Sequence, residues 1–176
     1  MTKSSNLDQR QLHEAFVSAL GRSVEAHSDL ALKPLELDLR APLPRKTRVY
    51  LYNLTHPPGG RTLGEHKVQL IVPGQQRGER ASFDHSAGRI VILAGYEPEI
   101  EVFALWDAGL YPDFSYSRNV QVRAETIYEA LAGKIGLQQR QIRGQGKEFV
   151  IAARPTNLAT ALWCRVEITR KRLVGK

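Results

Sequence analysis

Cysteine is nearly missing from this chain: Cys164 is the only one in 176 residues. A lone thiol closes no internal disulfide and builds no multi-cysteine zinc site, so a secreted disulfide scaffold is excluded and a reducing, cytoplasmic setting is expected. Long apolar runs are missing too. None approaches the roughly 18 residues needed to span a bilayer, and "MTKSSNLDQRQLHEAF" lacks the apolar stretch of a signal peptide. A soluble protein with no membrane partner is the expectation. Several catalytic signatures are also absent: there is no phosphate-loop glycine pattern, no Gly-x-Ser-x-Gly elbow and no nucleophile pairing for Cys164. His13, His27, His56, His66 and His85 are scattered without metal-ligand spacing. No cofactor is expected.

Acidic residues are in short supply as well. Eighteen Asp and Glu face twenty-five Lys and Arg, leaving a net charge of +7, which suits a polyanionic partner better than an acidic small molecule. Hydrophobic residues make up 42%, enough to bury a core in a chain the size of one domain. The expected organisation is a single domain over 1–176. Residues 1–46 form an N-terminal helix and lead-in, 47–155 a β-rich centre, and 156–176 a C-terminal helix with a basic tail.

Periodicity places the elements. Leu12, Ala15, Phe16, Ala19 and Leu20 recur at helical spacing and stop at Gly21. Leu35, Leu37 and Leu39 alternate with Glu36, Asp38 and Arg40, the period of a half-buried strand that Pro42 and Pro44 end. "TRVYLYNLT", "HKVQLIVPG", "GRIVILAGY" and "EIEVFALWD" read as further strands, the last three as the sheet's centre. "SRNVQVRAETIYEALAGKIG" changes from alternation at Val120 and Val122 to helical spacing at Ile127, Ala130, Leu131 and Ile135. A polar segment, then a strand over 148–153 and a helix after Pro155 close the chain. Turn signals are frequent and no crossover helix separates the strands, which argues for antiparallel pairing. The predicted fold is therefore α+β: a twisted, mainly antiparallel sheet curling into a partly open barrel, flanked by an N-terminal helix and C-terminal helices.

Chemistry-bearing residues gather in "EVFALWDAGLYPDFSYSRNVQVRAETIYEA". Trp106, Tyr111, Phe114 and Tyr116 fall within eleven residues, followed by Arg118, Asn119 and Arg123. Aromatic faces can stack on an unpaired base, and a neighbouring Arg can hold phosphate or a base edge. The same rings are also ordinary core material. Asp107 and Asp113 could accept from a cytosine amine or cap a turn. Farther on, "RQIRGQGK" interleaves Arg140, Arg143 and Lys147 with glycines that let backbone approach phosphates closely. "HPPGGR" and "PGQQRGER" are two more loops that combine Gly with Arg. Glu65-His66-Lys67 has the acid-x-lysine spacing of many metal-dependent nucleases, with Asp38 as an upstream acid.

The runs "YNLTHPPGGRTLGEHKVQLIVPGQ", "SFDHSAGRIVILAGY", "VFALWDAGLYPDFSYSRNVQVRAETIYEALAGKI" and "RGQGKEFVIAARP" together resemble a domain associated with bacterial restriction endonucleases and DNA methyltransferases, of the methylase-associated or target-recognition type. The resemblance covers about residues 50 to 155. It implies a DNA-reading module of a restriction-modification or modification-dependent defence system, similar in architecture to B3-like and SRA-like pseudobarrels. Duplex DNA is the implied partner, with a nuclease or methyltransferase as a fused domain or separate subunit. On this reading Arg118, Arg123, Arg140, Arg143 and Lys147 hold phosphates. Trp106, Asp107, Tyr111, Phe114, Tyr116 and Asn119 contribute to reading a base, 5-methylcytosine being one candidate. The domain is expected to be non-catalytic, with no catalytic or metal-binding residue assigned. A magnesium-dependent endodeoxyribonuclease and a protein-interaction module are the alternatives.

Overall fold

The computed structural model describes residues 6–56, 65–144 and 146–175. Among these described residues, eleven strands and three α-helices are arranged in layers about one large sheet. Helix α1 (Gln9–Leu20) opens with a capping box, in which Asp8 accepts from the Gln11 backbone and the Gln11 side chain accepts from the Asp8 backbone. Its stripe of Leu12, Phe16 and Leu20 is buried, and Gly21 at φ 53° ends it.

The large sheet contains β1 (Val24–His27), β2 (Leu35–Leu39), β3 (Lys46–Asn53), β6 (Ile90–Glu97), β7 (Val102–Trp106), β10 (Gly136–Ile142) and β11 (Gly146–Ala153). Their order is β1-β2-β3-β6-β7-β11-β10. Every neighbouring pair is antiparallel except β3 and β6, which run parallel with Thr47 opposite Ile90 and Asn53 opposite Tyr96. The central strands are buried along most of their length because both faces are covered.

One face carries α1 and α3 (Leu158–Val174), with Phe16, Leu37, Leu51, Phe103, Ile151 and Leu162 in one cluster. The opposite face carries α2 (Ala124–Leu131) and two ribbons, β4 (His66–Leu70) with β9 (Arg118–Val122) and β5 (Arg80–Ala81) with β8 (Phe114–Ser115). Ribbon and sheet meet closely at Gly95, where a Cβ would fall 2.6 Å from Val68 Cγ1 and 3.4 Å from the Trp106 ring. Only glycine fits there.

The mixed α+β composition, the mostly antiparallel sheet and the flanking helices agree with the sequence reading. The partly open barrel does not, since the sheet remains open, with β1 and β10 as its edges. Two features account for this. The parallel β3–β6 pair is joined by a connection that carries β4 and β5 across one face, and β4 leaves the sheet to pair with β9 instead of sitting at its centre. Strands β1 and β10 were not foreseen.

Candidate nucleic-acid interface

The β4–β9 ribbon is built on strict alternation. His66, Val68 and Leu70 of β4, and Val120 and Val122 of β9, point inward and are buried. Gln69, Asn119 and Gln121 point outward and are exposed, Lys67 is half-buried, and Arg123 continues the outward row into solvent. Register sets Lys67 opposite Gln121 and Gln69 opposite Asn119. Glu65 directly precedes β4 and Arg123 directly follows β9, just beyond the last pair, His66 opposite Val122. The Trp106 indole fastens this ribbon to the sheet by donating to the Gln121 carbonyl at 3.0 Å. The Arg123 backbone N–H donates to the buried Gln138 side chain at 2.8 Å, tying the ribbon's end to β10.

The aromatic residues proposed to read a base lie mostly inside. Trp106, Tyr111 and Phe114 are at most 1% exposed, so none offers a free π face on which a base could stack. Phe114 packs on Phe83 at 4.8 Å between centroids. Tyr111 donates its hydroxyl to Glu148, 2.8 Å from each carboxylate oxygen, while the Arg118 guanidinium lies 4.9 Å above its ring. Tyr116 is half-buried and Asn119 exposed. Asp107 caps the Gly109 amide and pairs with Arg172 at 2.7 Å. Asp113 pairs with Arg80. Both carboxylates are thus engaged within the protein.

The proposed phosphate ligands divide in the same way. Arg140 is committed to the fully buried Glu148 at 3.1 Å and also reaches the Tyr111 hydroxyl at 3.3 Å. Burial holds the Glu148 carboxyl above its ordinary range, with Tyr111 and Arg140 pulling the other way. The Tyr111 hydroxyl is pushed well above its usual value, first by burial and then by the neighbouring Glu148 charge. Arg123, Arg143 and Lys147 are exposed and form no ion pair among the described residues. Arg143 and Lys147 flank the tight β10–β11 turn, where Gly144 and Gly146 take φ 78° and 91°.

Two other expectations can be placed. Asp38 sits on β2 and pairs with Arg89 at 3.3 Å, whereas Glu65-His66-Lys67 runs into β4. Among the described residues no three of His, Cys, Asp and Glu come close enough to hold a metal ion. "PGQQRGER" forms turns leading into β5, while most of "HPPGGR" lies outside the described residues. No helix among the described residues is long and apolar enough to cross a membrane.

Sequence reasoning named Asn119 but missed Gln69 and Gln121 beside it on the outward row, although their signal was present: all three are polar members of two alternating strands. No curated protein and no solved structure matches the chain. Residues 45–162, about two-thirds of its length, match the methylase-associated X1 family, and the chain belongs to that family.

Proposed function

We propose that this methylase-associated domain reads duplex DNA for a restriction-modification or modification-dependent defence system, next to a DNA methyltransferase, and that the β4–β9 ribbon is its reading surface. The observation that carries this is the ribbon's division into an inner row of buried His66, Val68, Leu70, Val120 and Val122 and a polar outer row. A two-stranded ribbon is one of the elements that fits the major groove. Asn and Gln pair with adenine edges, Lys and Arg with guanine, and Glu accepts from cytosine. The outer row of Glu65, Lys67, Gln69, Asn119, Gln121 and Arg123 supplies all three kinds. Arg143, in the exposed β10–β11 turn, adds positive charge available to phosphates. With three of the four rings in the core, recognition runs through base edges in the groove rather than through stacking on those rings.

Selection from randomised duplexes, with cytosine unmodified or methylated, tests this reading. A recovered site should lose about 5- to 150-fold in affinity with Asn119→Ala or Gln121→Ala, corresponding to about 1–3 kcal/mol per base contact. Arg143→Gln should weaken all duplexes alike and reduce the salt dependence by about one counterion. Failure to retain any duplex at low salt, or an unaltered selected sequence in the amide variants, would refute it.

A further inference from the structure

A second charged site lies on the other face of the large sheet. A cavity of about 550 Å³ opens between the C-terminal half of α3 and the adjoining ends of β7 and β11. Lys147, Arg165, Lys171 and Arg172 line it against a single carboxylate, Asp107. Glu148, next along the chain from Lys147, points to the opposite face and is held by Tyr111 and Arg140. The lining side chains therefore carry a net charge of about +3, with Glu148 attracting Arg165 from behind the cleft wall.

Arg165 is the unusual member. It is 2% exposed, donates to the Phe149 carbonyl and lies 3.9 Å from Asp107. That carboxylate is already taken by Arg172 at 2.7 Å in a two-pronged contact. The Arg165 Nε has no hydrogen-bond partner among the described residues. A buried guanidinium whose nearer carboxylate is shared with Arg172, whose other carboxylate, Glu148, is held by Tyr111 and Arg140, and whose Nε is unused is costly unless something anionic completes it. Lys171 and Arg172 stand in the last turn of α3, where helix carbonyls attract cations. That attraction explains neither the burial of Arg165 nor the presence of Lys147, which comes from β11.

We infer that this cleft binds a nucleoside phosphate, its phosphate held by Arg165, Arg172, Lys147 and Lys171. The cavity is too large for a bare phosphate and falls in the ordinary range for small-ligand sites. Phe149 and Ile168 supply an apolar wall beside the cations, suited to a base. The phosphate belongs either to a free nucleotide or to the 5′ end of a nucleic acid strand, and the site lies on the opposite face from the ribbon.

Isothermal titration of the full chain tests this with AMP, adenosine, and a short single strand with and without a 5′-phosphate. AMP, or the phosphorylated strand, should bind saturably and at least about 10-fold more tightly than its phosphate-free counterpart, a difference of about 1.4 kcal/mol. Lys147→Gln with Lys171→Gln should remove at least that factor without changing the melting temperature. Asn119→Ala should leave it untouched, so that failure of the ribbon reading and failure of this one are separable. AMP binding identifies a free nucleotide; preference for the phosphorylated strand alone identifies a strand end. Arg165→Met should abolish binding if it folds, and the lysine variants decide the matter if it does not. Indifference to phosphate in both pairs of probes, or full binding by the double lysine variant, would overturn the inference.

Discussion

Removing one oxygen from Tyr111 gives the sharpest test of how this interior is held. The Tyr111 hydroxyl is 2.8 Å from both oxygens of Glu148, which is fully buried and otherwise bonded by Arg140 at 3.1 Å. Tyr111→Phe keeps the ring, its packing and its contact with Arg118, but deletes a hydrogen bond to a buried carboxylate. Such bonds contribute about 1.5–3 kcal/mol. For a chain of this size each kcal/mol moves the melting temperature by about 2–4 °C, so a fall of about 3–12 °C is expected. Calorimetry of Tyr111→Phe, Glu148→Gln and the double variant closes a thermodynamic cycle. Because the two groups touch, their effects should be non-additive by about 0.5–3 kcal/mol. Duplex affinity, measured well below the melting transition, should not change. An unaltered melting temperature, or additive single effects, would refute the buried bond; lost affinity in a fully folded Tyr111→Phe would return the hydroxyl to the recognition surface.

Other perturbations report on different parts of the molecule. Gly95→Ala places a Cβ 2.6 Å from Val68 Cγ1 and should cost about 1–3 kcal/mol through overpacking; an unchanged thermal melt would show that the ribbon can stand off from the sheet. Glu97 is 1% exposed and its Oε2 has no hydrogen-bond partner among the described residues, so burial raises its pKa above the ordinary glutamate value. The native state then holds this proton more tightly than the unfolded chain, and its contribution to stability falls as pH rises through the folded pKa. Glu97→Gln should therefore gain melting temperature over wild type at neutral pH and lose that advantage near pH 4; a pH-independent difference would contradict the assignment.

Much of the architecture was legible because burial leaves a period. Leu35, Leu37 and Leu39 marked β2, and the switch from Val120 and Val122 to Ile127 and Ala130 marked the passage from β9 into α2. Strand β10 stayed hidden because its inward positions are Gly136 and Gln138 while Leu137 is exposed, which reverses the hydrophobic code. Gln138 tolerates burial through its bonds to the Arg123 amide and the Thr126 hydroxyl. Strand β1 is an edge with little burial to record. The parallel β3–β6 pair could not be foreseen either, because its connection contains strands rather than a crossover helix. The aromatic cluster was visible as composition, but composition does not say which way a ring faces. Burial of Trp106, Tyr111 and Phe114 was settled by ribbons folding over them, a long-range event with no local trace.

The two strands of the β4–β9 ribbon are almost fifty residues apart in the chain, with β6 and β7 folded between them. No hairpin turn dictates how they align; the body of the protein does, through valines and leucines that never reach the surface. Side chains on the outer row can consequently be exchanged during evolution without slipping one strand past the other. Such an arrangement lets the exposed chemistry of the ribbon drift quickly while the scaffold beneath stays constant.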